Sequence, residues 1–388
     1  MTGRRSFCNV SAWSLAALAA VALNACKPQE GGAAPVQEVK IGFAAPLTGP
    51  QAHYGQEMQN GVALALDELN AEGVRIAGRP VRIVLIAEDD QADPKTGVIV
   101  AQRLVDAQIS GMIGHFNSGT SIPAAAVYAR AGVPQIAMAT APGYTAQGFK
   151  TTLRAMTSDT QQGSVAGRFA VEQAGARRIA VVDDRTAYGQ GLAEQFERSA
   201  REMGASIVGH EYVDDRDTDF SAILTRVKSS RPDLLFFGGA DSQAGPLVRQ
   251  MKQLGLQAQF MGGDMVKSPA FIRLAGDAAE GAMASLAGLP LERMPGGKSF
   301  AERYRSRFHD EPGIYSPYAY DAARIMVQAM KAADSSEPAR YLDKLRSSQW
   351  NGVTADAIAY DERGDLKSSL ITLYQVRGGQ WTVRRTMD

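Results

Sequence analysis

Apolar residues recur along this chain in two alternating rhythms: short β-branched runs, and longer stretches with a helical period. The run Val39-Lys40-Ile41-Gly42-Phe43 predicts a strand, and Val62, Leu64, Ala65, Leu66 and Leu69 predict an amphipathic helix over Met58 to Asn70. VRIVLIAEDD (81–90) predicts a buried strand with a polar end. Asp93-Pro94 then supplies an N-cap acid and a proline suited to a first helical position. A strand over 110–116, a helix from Ile122 to Ala131 and a strand over 133–139 complete one set. The rhythm restarts at RRIAVVDD (177–184), followed by a helix from Gly189 to Met203 and a strand from Ile207 to Tyr212. A helix opening at Asp219-Phe220-Ser221, a strand over 234–239, a helix over 245–255 and a strand over 258–264 follow. This alternation predicts an α/β protein of two doubly wound parallel-sheet lobes, each with helices on both faces. The apolar-periodic helix 318–333 needs a sheet to cover. Ligands of such sheets sit at the carboxyl ends of the strands, so the loops there are where chemistry is expected.

The first residues do not share that rhythm. Arg4 and Arg5 precede the apolar run Val10–Leu23, which is short for a membrane span and suits the centre of a secretory signal. It ends in Leu23-Asn24-Ala25-Cys26, which resembles the lipobox of bacterial lipoproteins. Residues 1–25 are expected to be a lipoprotein signal, Cys26 the lipidation site, and the Gly- and Pro-containing segment 26–36 a tether. A lipid-anchored, extracytoplasmic (periplasmic) location follows from that reading.

Composition narrows the class. The 388 residues carry 41 Lys and Arg against 41 Asp and Glu, a balance unlike the basic excess of a nucleic-acid binder. Apolar residues make up 45 %, as in ordinary globular proteins. The two cysteines, Cys8 and Cys26, both precede the body, which excludes a disulfide framework or a cysteine zinc site there.

The loops carry binding chemistry and little catalytic chemistry. His115-Phe116-Asn117-Ser118-Gly119-Thr120-Ser121-Ile122-Pro123 sets hydroxyls and free backbone N–H groups before a helix, an arrangement suited to an anion. Lacking a Gly-Lys-Ser/Thr ending, it fits a carboxylate better than a triphosphate. The alternative is plain N-capping by Ser118, Thr120 or Ser121. Thr140 ends the neighbouring strand, Tyr188 follows the strand that opens the second set, and Asp264 follows Gly262-Gly263. An acid at 264 facing a carboxylate-binding loop would pair with an ammonium group. The four histidines, His53, His115, His210 and His309, lack metal-ligand spacing, and no Gly-x-Ser-x-Gly elbow or dinucleotide glycine fingerprint occurs. No metal, no cofactor and no enzymatic activity are expected.

In order along the chain, KIGFAAPLTGPQAHYG (40–55), GVALALDELNAEGV (61–74), EDDQADPKTGV (88–98), IGHFNSGTSIPA (113–124), ATAPGYT (139–145), YGQGLAEQF (188–196), QFMGGD (259–264) and YDERGDL (360–366) resemble the periplasmic leucine/branched-chain amino acid-binding protein family. The resemblance implies a type I periplasmic binding protein with two lobes joined by a three-strand hinge. The first lobe would comprise 37–157 plus 288–369 and the second 158–287 plus 370–388. It also implies a receptor for an amino acid, of branched-chain type or an analogue, that serves an ABC permease and acts as a monomer. Carried over by residue, Ser118 and Thr140 would hold the ligand carboxylate, helped by backbone at Asn117, Met138 and Ala139. Asp264 would hold the ammonium, Tyr188 would close over the ligand, and Tyr54 and Phe116 would line the side-chain pocket. Ala240 stands where leucine-binding members have an aromatic residue, which opens the alternative of an aromatic acid, urea or short amide. A sensory ligand-binding module is a further alternative. Ala92 and Asn117 occupy the places of a disulfide found in some members.

Overall fold

The structure is a computed structural model that describes residues 36–388. The expected signal segment and Cys26 lie outside the described residues, as does the tether up to residue 35.

Six strands form the first sheet: β1 (Gln37–Ala45), β2 (Arg75–Ile76), β3 (Arg79–Asp89), β4 (Gly111–Gly114), β5 (Gln135–Ala137) and β6 (Thr152–Arg154), in the order β2-β3-β1-β4-β5-β6. Seven form the second: β7 (Arg178–Asp183), β8 (Ser206–Tyr212), β9 (Leu234–Gly238), β10 (Gln259–Gly262), β11 (Met283–Ala287), β12 (Ile371–Arg377) and β13 (Gln380–Met387), in the order β13-β12-β11-β10-β9-β7-β8. The central strands pair in parallel, and β9 (Leu234–Gly238) is apolar and buried throughout, as a strand covered on both faces must be. Phe236 of β9, for example, stacks at 3.8 Å on Phe196 of a covering helix.

The two wound parallel sheets expected from the sequence are present, each with an antiparallel addition at one edge. β2 pairs antiparallel with β3, and β12 runs antiparallel to β11 before turning into β13. The β12–β13 turn is Gly378-Gly379 with φ of 58° and 74°, the two left-handed positions a two-residue hairpin turn demands.

The helices that matter for the site are α1 (Ala52–Glu72), α2 (Pro94–Asp106), α3 (Ser118–Ala131), α4 (Asp159–Glu172), α5 (Ala187–Glu202), α6 (Ser221–Ser229) and α7 (Asp241–Gln253). Asp93 caps α2, accepting from the Thr96 N–H at 2.8 Å, with Pro94 in the first turn. Helix α3 begins at Ser118, four residues before the expected start, and Pro123 lies inside it. Pro123 is the sixth residue of the helix, past its first turn, so its missing N–H leaves the Gly119 carbonyl without its intrahelical donor. Helix α7 likewise starts four residues earlier than its apolar pattern indicates.

Chain passes between the sheets run through 155–158, 288–290 and 367–370, side by side. Gly288 N–H donates to Leu370 O at 2.6 Å, and Gln161 Nε2 to Ser369 O at 2.8 Å. In each sheet the chain leaves the middle in both directions, from β1 toward β3 and β4 and from β7 toward β8 and β9. The crevices at those two reversals are where a doubly wound sheet binds its ligand.

Candidate functional site

The carboxyl ends of the two sheets face each other across a cleft. On one wall α3 presents Ser118, whose Oγ accepts from the Ala141 N–H at 3.1 Å and keeps its own hydrogen free to donate. The N–H groups of Ser118 and Gly119 open the helix and have no acceptor within it. Asn117 occupies the cap position without a side-chain cap bond, so capping by Ser118, Thr120 or Ser121 is not what the loop does. Its Nδ2 instead donates to Gln51 Oε1 at 2.7 Å, and its Oδ1 is buried without a partner.

Behind this wall a buried network fixes the backbone. Arg154 is fully buried and donates to Asp365 at 2.7 Å, to Thr145 Oγ1 at 2.9 Å and to the carbonyls of Ala139 and Ala141. The Ala139 carbonyl is therefore occupied from behind, and Thr140 is held between two anchored neighbours. His115 is also buried, with Nδ1 2.7 Å from Asp90 and Nε2 3.1 Å from the Tyr128 hydroxyl. It braces β4 against α3. Of the acid run 88–90, Asp89 ties down the Leu47–Thr48 loop, and among the described residues no three potential ligands converge on a metal position.

The opposite wall is acidic. Asp264, just past β10, is 2 % exposed. Its Oδ1 accepts from the Tyr188 hydroxyl at 2.8 Å and from Gln162 Nε2 at 2.9 Å, and its Oδ2 accepts from the Tyr315 hydroxyl at 2.8 Å. Gly263 makes room for this: a Cβ there would lie 2.3 Å from the Tyr188 oxygen and 2.4 Å from Leu192. Asp159, in the first turn of α4, is 0 % exposed, and neither of its oxygens has a partner. Burial, and then repulsion from Asp264, pushes its carboxyl well above the ordinary range. The Thr140 hydroxyl and the Arg154 charge oppose that shift, the former without reaching a directed hydrogen bond. Gln162 Oε1 is also buried and unpaired. Burial and the Asp264 charge raise the Tyr188 and Tyr315 phenols, which keeps both as donors.

Tyr54, Phe116 and Tyr315 form a buried aromatic cluster with ring centroids 4.8–5.4 Å apart. The Tyr54 hydroxyl donates across the cleft to Met265 O at 2.5 Å. Beside it His53 Nε2 lies 3.0 Å from Asp241 Oδ2, again from one lobe to the other. Ala240, buried at the start of α7, borders a cavity of about 480 Å³ that also meets Tyr188, Met265 and Asn117. A cavity of similar size, about 500 Å³, lies at the amino ends of β10 and β11 and contains none of these residues.

The structure thus brings Tyr54, Phe116, Asn117, Ser118, Thr140, Tyr188, Ala240 and Asp264 to one cleft, with Met138 and Ala139 in the strand end beneath. Sequence reasoning missed Asp159, Gln162 and Tyr315. An acid opening a helix is an ordinary dipole-favoured residue in sequence, and Tyr315 has no local mark at all.

The model of the family described as periplasmic binding protein matches residues 38–380. The chain is 36 % identical over 346 residues to the Leu/Ile/Val-binding protein homolog 1 of Brucella abortus, covering 88 % of this chain and 91 % of that one. It is 33 % identical to the leucine-, isoleucine-, valine-, threonine- and alanine-binding protein of Pseudomonas aeruginosa, over 87 % of this chain and 89 % of the relative. Its fold superposes with a TM-score of 0.81 on the branched-chain amino acid transporter substrate binding protein of Streptococcus pneumoniae, solved in complex with isoleucine. That pair is 27 % identical, over 90 % and 99 % of the two chains.

Proposed function

The chain belongs to the periplasmic binding protein family, and from that premise we propose that it is the extracytoplasmic receptor of an ABC importer. It binds a free α-amino acid between its lobes and presents it to the permease. One observation carries the amino-acid reading. The α4 side of the cleft holds buried acceptors without donors, Asp159 Oδ1, Asp159 Oδ2 and Gln162 Oε1, next to the carboxylate of Asp264. Unpaired buried acceptors call for a ligand group with several N–H donors and a positive charge. An ammonium has three. The facing wall has donors to spare, the Ser118 and Thr140 hydroxyls and the first N–H groups of α3, and suits a carboxylate. The two walls together match the two ends of a zwitterion, while Tyr54, Phe116 and Tyr315 leave room for a side chain directed toward Ala240.

Binding proceeds by hinge closure about the three chain passes. Lobe 37–157 plus 288–369 receives the carboxylate. Lobe 158–287 plus 370–388 then closes and supplies Asp159, Tyr188 and Asp264. Exclusion of water strengthens each charged contact. Cys26 carries the lipid that keeps this receptor at the membrane, and the chain works as a monomer that releases its ligand chemically unchanged.

A purely anionic aromatic acid would leave Asp159 and Gln162 Oε1 unpaired, which ranks it below an amino acid. The test is calorimetry with the twenty amino acids and, for each binder, the matching acid without the amino group. Loss of the ammonium costs about 2–5 kcal/mol, roughly 30-fold or more. Equal affinity for the deaminated acid overturns the assignment.

A further inference from the structure

The cavity bordered by Ala240 is larger than a four-carbon side chain fills, and its lining includes a buried acceptor without a donor, Asn117 Oδ1, and several carboxylates. Asp184, at the end of β7, is 5 % exposed. Its Oδ1 accepts from the Thr186 N–H at 3.0 Å and the Thr186 hydroxyl at 2.7 Å, while among the described residues its Oδ2 accepts nothing. Asn117 Oδ1, on the facing lobe, is likewise an acceptor without a donor. Asp214 and Asp215, on the loop after β8, add two exposed carboxylates to the same rim. The one cation among the lining residues is Arg185, whose guanidinium lies 5.1 Å from the Tyr212 ring. The wall is therefore acceptor-rich and carries three acids against one base. Ala240 carries only a methyl where it borders the passage between the zwitterion grip and this rim.

We propose that the ligand is a basic α-amino acid whose side chain passes Ala240 and places its cationic group between Asp184 and Asn117. This rests on the amino-acid reading above and refines it. The cation supplies hydrogen-bond donors to Asp184 Oδ2 and Asn117 Oδ1, and it offsets the acidic rim. Burial, helped by the charges of Asp183 and Asp215 and opposed by the Thr186 hydrogen bonds, raises the Asp184 carboxyl to about 7, in keeping with an acid that lacks a counter-charge in the unliganded cleft. A glutamate side chain would meet repulsion there, and an aliphatic one would leave both acceptors unpaired.

Lysine and norleucine differ only in the terminal ammonium, so the pair isolates this contact. Calorimetry on the full chain is expected to show lysine or arginine binding about tenfold or more tighter than norleucine and leucine, with glutamate weakest. Asp184→Asn is expected to shrink the lysine-to-norleucine ratio. Should that variant fold poorly, Asp214→Asn combined with Asp215→Asn, both exposed, should shrink it as well. Norleucine or leucine binding as tightly as lysine and arginine would overturn the basic-ligand inference and leave the amino-acid receptor standing. Glutamine matching arginine would overturn the cationic requirement. Absence of binding by every amino acid would instead overturn the reading on which this rests.

Discussion

Replacing Asp159 by Asn should move stability and binding in opposite directions. In the empty cleft Asp159 is a fully buried carboxylate with two unpaired oxygens, close enough to Asp264 to be repelled by it. Such a charge destabilises the protein that carries it. Asparagine has nearly the same shape and no charge, so the unliganded variant should be more stable by about 1–3 kcal/mol, the scale of an unsatisfied buried polar group. The sign with pH follows from the raised carboxyl. A group whose folded pKa lies above its unfolded value contributes full stability below the unfolded value. That contribution is lost as pH rises through the folded one. Wild type should therefore lose stability over that window, and Asp159→Asn should lose less. Binding should fall, because the ligand ammonium loses its charged partner. Removing one member of a buried charged pair costs about 2–5 kcal/mol, or roughly 30-fold to several thousandfold in dissociation constant. Chemical denaturation without ligand, repeated across pH, measures the first effect, and calorimetry with the best amino acid measures the second. A variant that is less stable when empty and binds as well as wild type would show that Asp159 is a structural acid, and the assignment would be wrong.

Tyr315→Phe keeps the aromatic cluster and removes only the hydroxyl that donates to Asp264 Oδ2, so the empty protein should lose about 1–3 kcal/mol of stability in chemical denaturation and affinity should drop by about 1 kcal/mol, roughly fivefold. His53→Gln weakens the contact with Asp241 that joins the lobes. The side chain is 38 % exposed, so stopped-flow release of ligand should accelerate by only about two- to tenfold, and no acceleration would show that the pair does not hold the cleft closed. His210 sits 2.6 Å from Asp183 and 2.8 Å from Glu197, and its hydrogen bonds to them raise its pKa to about 9. Its stabilising contribution should be complete below about 6.5, the ordinary value for histidine, and vanish as pH rises through about 9. His210→Gln should flatten the stability profile between those limits, and an unchanged profile would remove His210 from the account.

Local pattern determined a great deal of this protein. β-branched runs alternating with helical periods specified the two wound sheets, because each pattern buries its apolar atoms in only one kind of element. Asp93-Pro94 marked its helix start correctly, since capping acts within a few residues. The chemistry lining the cleft was legible in kind: Ser118 opens α3 and Thr140 follows β5, each with a hydroxyl, and Asp264 follows a glycine pair whose Gly263 clears space for Tyr188. Pattern failed where a competing local signal was stronger, as at Pro123, which read as a helix start although Asn117, six residues earlier, ends the non-helical backbone. It was also blind to the hairpin of β12 and β13, whose antiparallel pairing depends on an edge left open by β11. The remaining features belong to tertiary structure alone. Asp159, Gln162 and Tyr315 carry no distinguishing mark in sequence. Gln162 and Tyr315 become donors to Asp264, and Asp159 its neighbour, only because the chain folds distant segments onto one cleft. Which acceptors stay unpaired, and therefore what charge a ligand must bring, depends on what each atom faces in space, and no periodicity along the chain encodes that.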